Sequence, residues 1–158
     1  MQSGQIEVDS FDRKILDVLA RNGRTSITDL AKEVGLSKSP TQARLRRLES
    51  EGVITGYCAQ LDPIRLGLDH VAFVEVKLTD TREAALAAFN AAILEVPEIE
   101  QAHMIASHFD YLLKVRVTNM AAYRAVLGEK ISALPHVAST STYVAMQSVK
   151  ESGFSEIA

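Results

Sequence analysis

Apolar side chains in the first third of the chain recur at helical spacing and predict short helices. The first helix begins after the candidate N-caps Asp9 and Ser10 and ends near Asn22. The second runs from a candidate capping box at Ser26 to Gly35, a residue typical of helix ends. The apolar positions that define these helices are Ile15, Leu16, Val18 and Leu19 in the first and Ile27, Leu30, Ala31 and Val34 in the second.

A third helix follows the tight turn at Gly35, and its start has a strong signal. Ser39 is predicted as the N-cap, Pro40 as the first helical residue and Gln42 as the third. On a helical wheel the inward face holds Thr41, Leu45 and Leu48, the outward face holds Ser39, Gln42, Ala43 and Arg46, and Arg44 and Arg47 flank the outward face. Two short helices around a turn, the second rich in arginine, predict a DNA-reading helix-turn-helix.

The segment after the third helix predicts a wing and then a hinge. Residues 53–54 and 56–59 are typical of a strand and a turn, with Cys58 as a small strand hydrophobe, and such a hairpin would make the unit winged. Breaks at 61–63 and at Gly67 predict a hinge. The predicted organisation is a winged helix-turn-helix domain at 1–59, a hinge at 60–68, a second domain at 69–150 and a C-terminal tail at 151–158.

The second domain alternates between strand and helix patterns. Strands are predicted at 70–78, 99–107, 110–118 and 137–147, with helices at 82–94 and after the cap Asn119. This order is that of a ferredoxin-like βαββαβ sandwich, so the predicted fold class is α+β. Two helices can cover only one face of a four-stranded sheet, and we therefore expect the other face to pair with a second copy.

Composition and charge indicate an ordinary globular protein with a local excess of cation. The formal net charge is only -3, yet Arg44, Arg46 and Arg47 fall within four positions. Residues 1–62 balance nine basic against nine acidic residues, whereas the remainder is acidic. No apolar run approaches the roughly 20 residues of a membrane span, and a polar N-terminus favours a cytoplasmic protein with no membrane partner. One cysteine excludes an intramolecular disulfide and a cysteine-rich zinc site.

Double-stranded DNA is the predicted partner of the third helix. An amide such as Gln42 can pair with adenine and a guanidinium such as Arg46 with guanine, while flanking cations can meet phosphates. The predicted DNA-binding residues are Ser37, Lys38, Ser39, Thr41, Gln42, Ala43, Arg44, Arg46 and Arg47.

Two other functions are weighed against a regulator. The chain has no phosphate loop, nucleophile elbow or paired carboxylates, and its histidines lack metal-ligand spacing, so we expect no enzyme, no cofactor and no metal site. A ferredoxin-like enzyme remains an alternative, but such an enzyme would not need the arginine-rich helix. A winged-helix module that binds only proteins would be insensitive to salt, unlike a protein that contacts about six phosphates.

The motifs, in their order and spacing, resemble the Lrp/AsnC (feast/famine) transcriptional regulators of bacteria and archaea over nearly the whole chain. The resemblance is carried by residues 12–16, 30–31, 34–37, 44–49, 52–54 and 56–57, and in the second half by 109–113, 134–137 and 140–142. It implies a DNA-binding domain joined by a hinge to a domain that senses a small molecule, usually an amino acid, and that forms dimers and often octamers. Residues 102–104 and 109–116 also resemble the proline-responsive activators of proline dehydrogenase expression.

The resemblance further implies an effector site between copies of the second domain, near the strand-strand turn and the last strand. The residues so implied are Met104, Ala106, Ser107, His108, Phe109, Asp110, Tyr111, Thr140, Ser141 and Thr142. Ser107 stands where the family commonly has glycine. Asp110 could bind an effector's ammonium group or pair locally at the start of its strand, and His108 could contact the effector or cap the turn.

Overall fold

The computed structural model describes residues 6–151, and the chain divides into two compact units between Ala59 and Gln60. The first unit holds three helices, α1 at Ser10–Arg21, α2 at Ile27–Val34 and α3 at Lys38–Ser50. Their apolar stripes meet in a core made of Ile15, Val18, Leu30, Val34 and Leu48. The predicted inward face of α3 is confirmed, because Thr41 and Leu48 are fully buried and Leu45 packs against this core.

The predicted start of α3 is wrong by two residues. Ser37, not Ser39, is the N-cap, and Ser39 and Pro40 are the second and third helical residues. Pro40 is tolerated there because the first four N–H groups of a helix have no intrahelical partner. The Ser37 carbonyl instead accepts the Thr41 N–H at 3.3 Å and the Thr41 hydroxyl at 2.9 Å, which fixes the first turn.

The expected strand after α3 is not formed in the described residues. The N–H groups of Val53 and Ile54 both donate to the Leu48 carbonyl, at 2.9 and 3.0 Å, and so close the end of α3 rather than pair with a strand. Both side chains pack on the three-helix core. Residues 55–60 have no regular structure, and Cys58 is exposed rather than a strand residue.

The second unit is a four-stranded antiparallel sheet with two helical segments. Its elements are β1 at His70–Leu78, α4 at Glu83–Ile93, β2 at Ile99–Met104, β3 at Tyr111–Val117, α5 at Met120–Ala125, which continues as a π-helical turn at Val126–Ile131, and β4 at Val137–Val144. The strand order is β2-β3-β1-β4, and β1 pairs with both β3 and β4. The order of elements confirms the predicted α+β, ferredoxin-like fold.

The sheet has a helix-covered face and an open face. Ala72, Val74 and Val76 of β1 are buried with Phe89 of α4 in the core of the helix-covered face. The alternate β1 residues Phe73, Glu75 and Lys77 therefore lie on the open face. Residues 145–151 run beside Phe73 and Lys114 on this open face. Among the described residues, no helix is both long and apolar enough to cross a bilayer.

Candidate nucleic-acid interface and effector site

The exposed side of α3 carries most of the predicted DNA-contact residues. Ser37, Lys38, Ser39, Gln42, Ala43 and Arg46 are all exposed. Arg44 and Arg47 are half-buried. The Thr41 side chain is fully buried, and its hydroxyl donates to the Ser37 carbonyl. Thr41 therefore stabilises the first turn of α3, and its prediction as a DNA-contacting residue is corrected.

The sequence led us to expect free guanidinium groups at the flanks of this surface. Arg44 and Arg47 are not free. An Nη1 of Arg44 lies 2.9 Å from an oxygen of Asp12 and 2.5 Å from an oxygen of Asp9. Arg47 places Nη2 2.5 Å from the second Asp12 oxygen. Both guanidinium groups are thus engaged by carboxylates of α1 and its N-cap.

Asp12 is the centre of this arrangement and has no exposed surface. Burial raises the pKa of its carboxyl, but hydrogen bonds from Arg44, from the Asp9 N–H and from Arg47 outweigh burial and leave the pKa below its usual value. The Asp9 N–H bond also belongs to the capping box that begins α1. One buried carboxylate therefore joins the start of α1 to the middle of α3.

Nothing in the sequence pattern indicates this pairing. Asp12 lies 32 residues from Arg44 and 35 from Arg47, and the pattern identified only Asp9, as a cap. In the part of the chain that the structure describes, neither Arg46 nor Lys38 has an ion-pair partner. These two cations project from α3 without a carboxylate of their own.

In the second unit, the register brings several predicted effector residues into one row across the sheet. Met104 pairs with Tyr111, Tyr111 with Val76, and Val76 with Thr140. Tyr111 is buried on the helix-covered face, where its ring centroid lies 4.5 Å from that of Phe89 with the rings tilted by 48°. Its hydroxyl donates to Asn90 at 2.7 Å. It is a core residue, so its side chain is not available to a ligand on the open face.

The last strand is divided between the two faces. The Thr142 hydroxyl lies 2.5 Å from the Tyr123 hydroxyl of α5, on the helix-covered side. Ser141, by alternation, lies on the open face, where it pairs in register with Glu75. The predicted effector residues at the end of the sheet are therefore neighbours in register but do not all point into one site.

The turn at residues 105–110 holds Asp110 and His108 in different environments. Asp110 accepts the Leu78 N–H at 2.8 Å and lies 3.4 Å from the Lys77 ammonium, so it pairs locally. His108 is largely exposed and its Nε2 lies 3.7 Å from an oxygen of Glu75. Ala106 and Ser107 are exposed, and Phe109 is half-buried with its ring 5.0 Å from that of His108.

Glu75 is a residue that sequence reasoning missed. It lies in a β-rich run where it reads as an ordinary outward-facing charge, and only the register places it between Leu112 and Ser141 and within reach of His108. Its side chain is 18% exposed. Glu75, His108 and Ser141 together offer a carboxylate and two donors on the open face.

A second polar group on the open face links β3 to the chain after β4. Arg116 is buried, donates to Glu100 through Nε, and places Nη2 2.9 and 3.0 Å from the two oxygens of Glu151. Lys114 lies 2.9 Å from Glu100 and 2.5 Å from Glu151. Among the described residues, both cations pair with the same two carboxylates, and these contacts hold residues 145–151 against the sheet.

Comparison with known proteins agrees with both halves of this architecture. A winged helix-turn-helix DNA-binding family matches residues 8–55, and the Lrp/AsnC ligand binding domain family matches residues 71–153. A proline dehydrogenase transcriptional activator of Rhizobium radiobacter is 58% identical over 147 residues, which cover 93% of this chain and 94% of that protein.

Two solved structures are similar to this chain over most of its length. An AsnC family transcriptional regulator from Agrobacterium tumefaciens has a TM-score of 0.86 at 33% identity, covering 90% of this chain and 93% of that one. A transcriptional regulator of Neisseria meningitidis, solved as a complex with L-Met, also has a TM-score of 0.86, at 29% identity and with 96% and 97% of the two chains covered.

Proposed function

This chain belongs to the Lrp/AsnC family of transcriptional regulators, and on that basis we propose that it activates a proline dehydrogenase gene in response to an amino acid. The gene follows from the name of the Rhizobium radiobacter relative, and the class of effector from the L-Met complex of the Neisseria meningitidis regulator. The observation that supports DNA contact most directly is the outward surface of α3, with Gln42 and Arg46 exposed on a helix whose opposite side is locked in a core.

In this proposal Gln42 and Arg46 read base edges while Lys38 and Ser39 approach phosphates. An amide and a guanidinium are the side chains that pair bidentately with adenine and guanine. Ala43, also exposed, offers a methyl group for contact with thymine. Arg44 and Arg47 contribute mainly by holding α3 on α1, because their guanidinium groups are occupied by Asp9 and Asp12.

We propose proline as the effector, since an activator of a proline-degrading enzyme is useful when proline is abundant. A zwitterion needs a carboxylate for its ammonium group and donors for its own carboxylate. On the open face Glu75 supplies the first, and Ser141 and His108 supply donors. Asp110 supports the turn in this proposal, because the Leu78 N–H and the Lys77 ammonium already occupy its oxygens.

Arg46→Ala tests the DNA-contacting role of α3. Fluorescence anisotropy with a duplex from upstream of the host's proline dehydrogenase gene should show a loss of about 1–3 kcal/mol in specific binding, since a bidentate contact to a base is removed. Arg124→Ala, which removes an exposed arginine of α5, should bind as the unaltered protein does.

Salt dependence separates this function from a protein-interaction module. Wild-type binding should weaken steeply between about 50 and 200 mM KCl, because released counterions drive the association. Tight binding by Arg46→Ala, or wild-type binding that does not change with salt, would contradict the proposed interface.

A further inference from the structure

The four cations on α3 differ in what they contact. Lys38 and Arg46 have no ion-pair partner among residues 6–151, whereas Arg44 and Arg47 converge on the fully buried carboxylate of Asp12. Arg44 is further held by Asp9 at 2.5 Å, and its guanidinium lies 5.5 Å from the centre of the Phe11 ring. The arrangement divides the positive charge of the helix into an available part and a restrained part.

The restraint on Arg44 and Arg47 is strong because Asp12 depends on both. An ionised carboxylate without solvent contact is costly unless it is paired and hydrogen-bonded. Arg44 and Arg47 supply one hydrogen bond to each Asp12 oxygen, at 2.9 and 2.5 Å. If either guanidinium turned toward a phosphate, it would leave a buried negative charge incompletely compensated, so DNA has to compete with Asp12 for these groups.

We infer that Asp12 is a specificity-determining residue, which limits sequence-independent affinity for DNA by withholding Arg44 and Arg47 from phosphates. The inference rests on the proposed role of α3 as the DNA-contacting helix. Phosphate contacts increase affinity for every sequence, whereas base contacts favour one. With two guanidinium groups held back, base readout by Gln42 and Arg46 accounts for a larger share of binding.

The first test compares salt dependence for single arginine variants on an unrelated duplex. Each phosphate contact contributes about 0.9 to the slope of log K against log salt concentration. Arg44→Gln and Arg47→Gln should leave the wild-type slope unchanged, because these side chains do not contact phosphate. A slope smaller by about 0.9 in either variant would overturn the inference.

Arg46→Gln keeps this inference distinct from the proposed function. This substitution should reduce affinity for the operator. An unchanged affinity would contradict the proposed DNA-contacting surface of α3, independently of the role of Asp12. If Arg46→Gln reduces operator affinity while Arg47→Gln also lowers the slope, α3 binds DNA but Asp12 does not withhold its arginines.

The second test weakens the hold on the two arginines by Asp12→Asn, which keeps the size of the side chain and removes its charge. Asp9 still lies 2.5 Å from Arg44, and Glu51 lies 3.6 Å from Arg47. The slope on the unrelated duplex should steepen by up to about 1.8, and the ratio of operator to unrelated affinity should fall. Asp17→Asn, an exposed carboxylate on the same helix, makes the same change in net charge and should alter neither quantity.

Circular dichroism at the assay temperature establishes that Asp12→Asn is folded, and the arginine variants decide the question if it is not. Equal weakening of operator and unrelated binding by a folded Asp12→Asn, with no change of slope, would show that Asp12 serves only the packing of α1 on α3 and would overturn the inference.

Discussion

At the scale of single residues, the function of a charged group is set by what its atoms already touch. Arg46 and Arg47 are adjacent in the sequence and chemically identical, yet Arg47 lies 2.5 Å from Asp12 while Arg46 has no carboxylate partner among the described residues. The same distinction separates Asp110, which accepts the Leu78 N–H at 2.8 Å, from Glu75, which lies 3.7 Å from the exposed ring of His108. We expect ligands to bind the groups that the fold leaves available.

Glu75→Gln tests this principle at the proposed effector site. L-proline at saturating concentration should raise the melting temperature of the wild-type protein, because a ligand that binds the native state stabilises it. The substitution should abolish most of that increase, since an amide cannot balance the ammonium charge of proline. Thermal unfolding with L-proline, and with D-proline as a stereochemical control, measures the difference.

Glu83→Gln is the matched variant, because Glu83 is an exposed carboxylate in the first turn of α4. It should respond to L-proline as the wild-type protein does. A full response by Glu75→Gln would place the ligand elsewhere, and a wild-type protein that responds to L-methionine but not to L-proline would contradict the choice of effector.

Sequence patterns were most informative about individual elements. The apolar spacing and caps identified all three helices of the first unit, and β1 has the bounds that were predicted for it. The start of α3 was predicted two residues late because Pro40 is typical of the first helical position. Proline is also accepted at the other positions of the first turn, because their N–H groups have no intrahelical partner. The predicted strand after α3 is not formed, because Val53 and Ile54 are apolar residues that pack on the three-helix core.

The candidate sites were less predictable than the elements, for a physical reason. Period and capping are local properties, whereas Asp12 meets Arg47 and Glu75 meets Ser141 only after the chain folds. The helical wheel correctly predicted that Gln42 and Arg46 lie on the outward face, because an amphipathic helix buries its apolar side. It could not show that Arg44 and Arg47, at the edge of that surface, were within reach of α1.

The segment after β4 also depends on a tertiary contact that its sequence does not reveal. Glu151 binds Lys114 and Arg116, and residues 145–151 lie beside the open face. The hydrogen bond from Lys114 lowers the pKa of Glu151, burial opposes this, and a further bond from Arg116 helps to leave the pKa below its usual value. Folding therefore favours the ionised form of Glu151.

Glu151→Gln should destabilise the protein at neutral pH by about 1 kcal/mol, the upper part of the range for ion pairs near a surface. Because the folded pKa is lowered, the contribution is present above the ordinary pKa of the carboxyl group and is lost as pH falls through the folded value. The difference from wild type should therefore be seen at about pH 7 and be smaller at about pH 3.

Denaturant unfolding of both proteins at the two pH values measures this, and Glu95→Gln, an exposed carboxylate, serves as the control. A difference of the same size at both pH values would show that Glu151 contributes through packing or hydrogen bonding rather than through its charge.

At the scale of the whole molecule, the open face of the sheet is incompletely covered by the residues that the structure describes. Phe73 of β1 and Tyr143 of β4 are register partners on this face, with 37% and 55% of their surfaces exposed. Exposed aromatic side chains that adjoin one another are typical of protein interfaces. We therefore propose that two copies associate through this face, which would also give each assembly two copies of α3.

Tyr143→Glu should separate the copies, because it places a charge where an aromatic ring would be buried. Light scattering after gel filtration should give a lower mass than for the wild-type protein, whereas Leu94→Glu, at an 82% exposed position of the helical layer, should leave the mass unchanged. Operator binding should also weaken in Tyr143→Glu although α3 is intact, since two linked reading helices bind a near-palindromic site far better than one. A Tyr143→Glu protein of unchanged mass would assign self-association to another surface, and one of lower mass with undiminished operator affinity would show that a single copy is sufficient to bind the site.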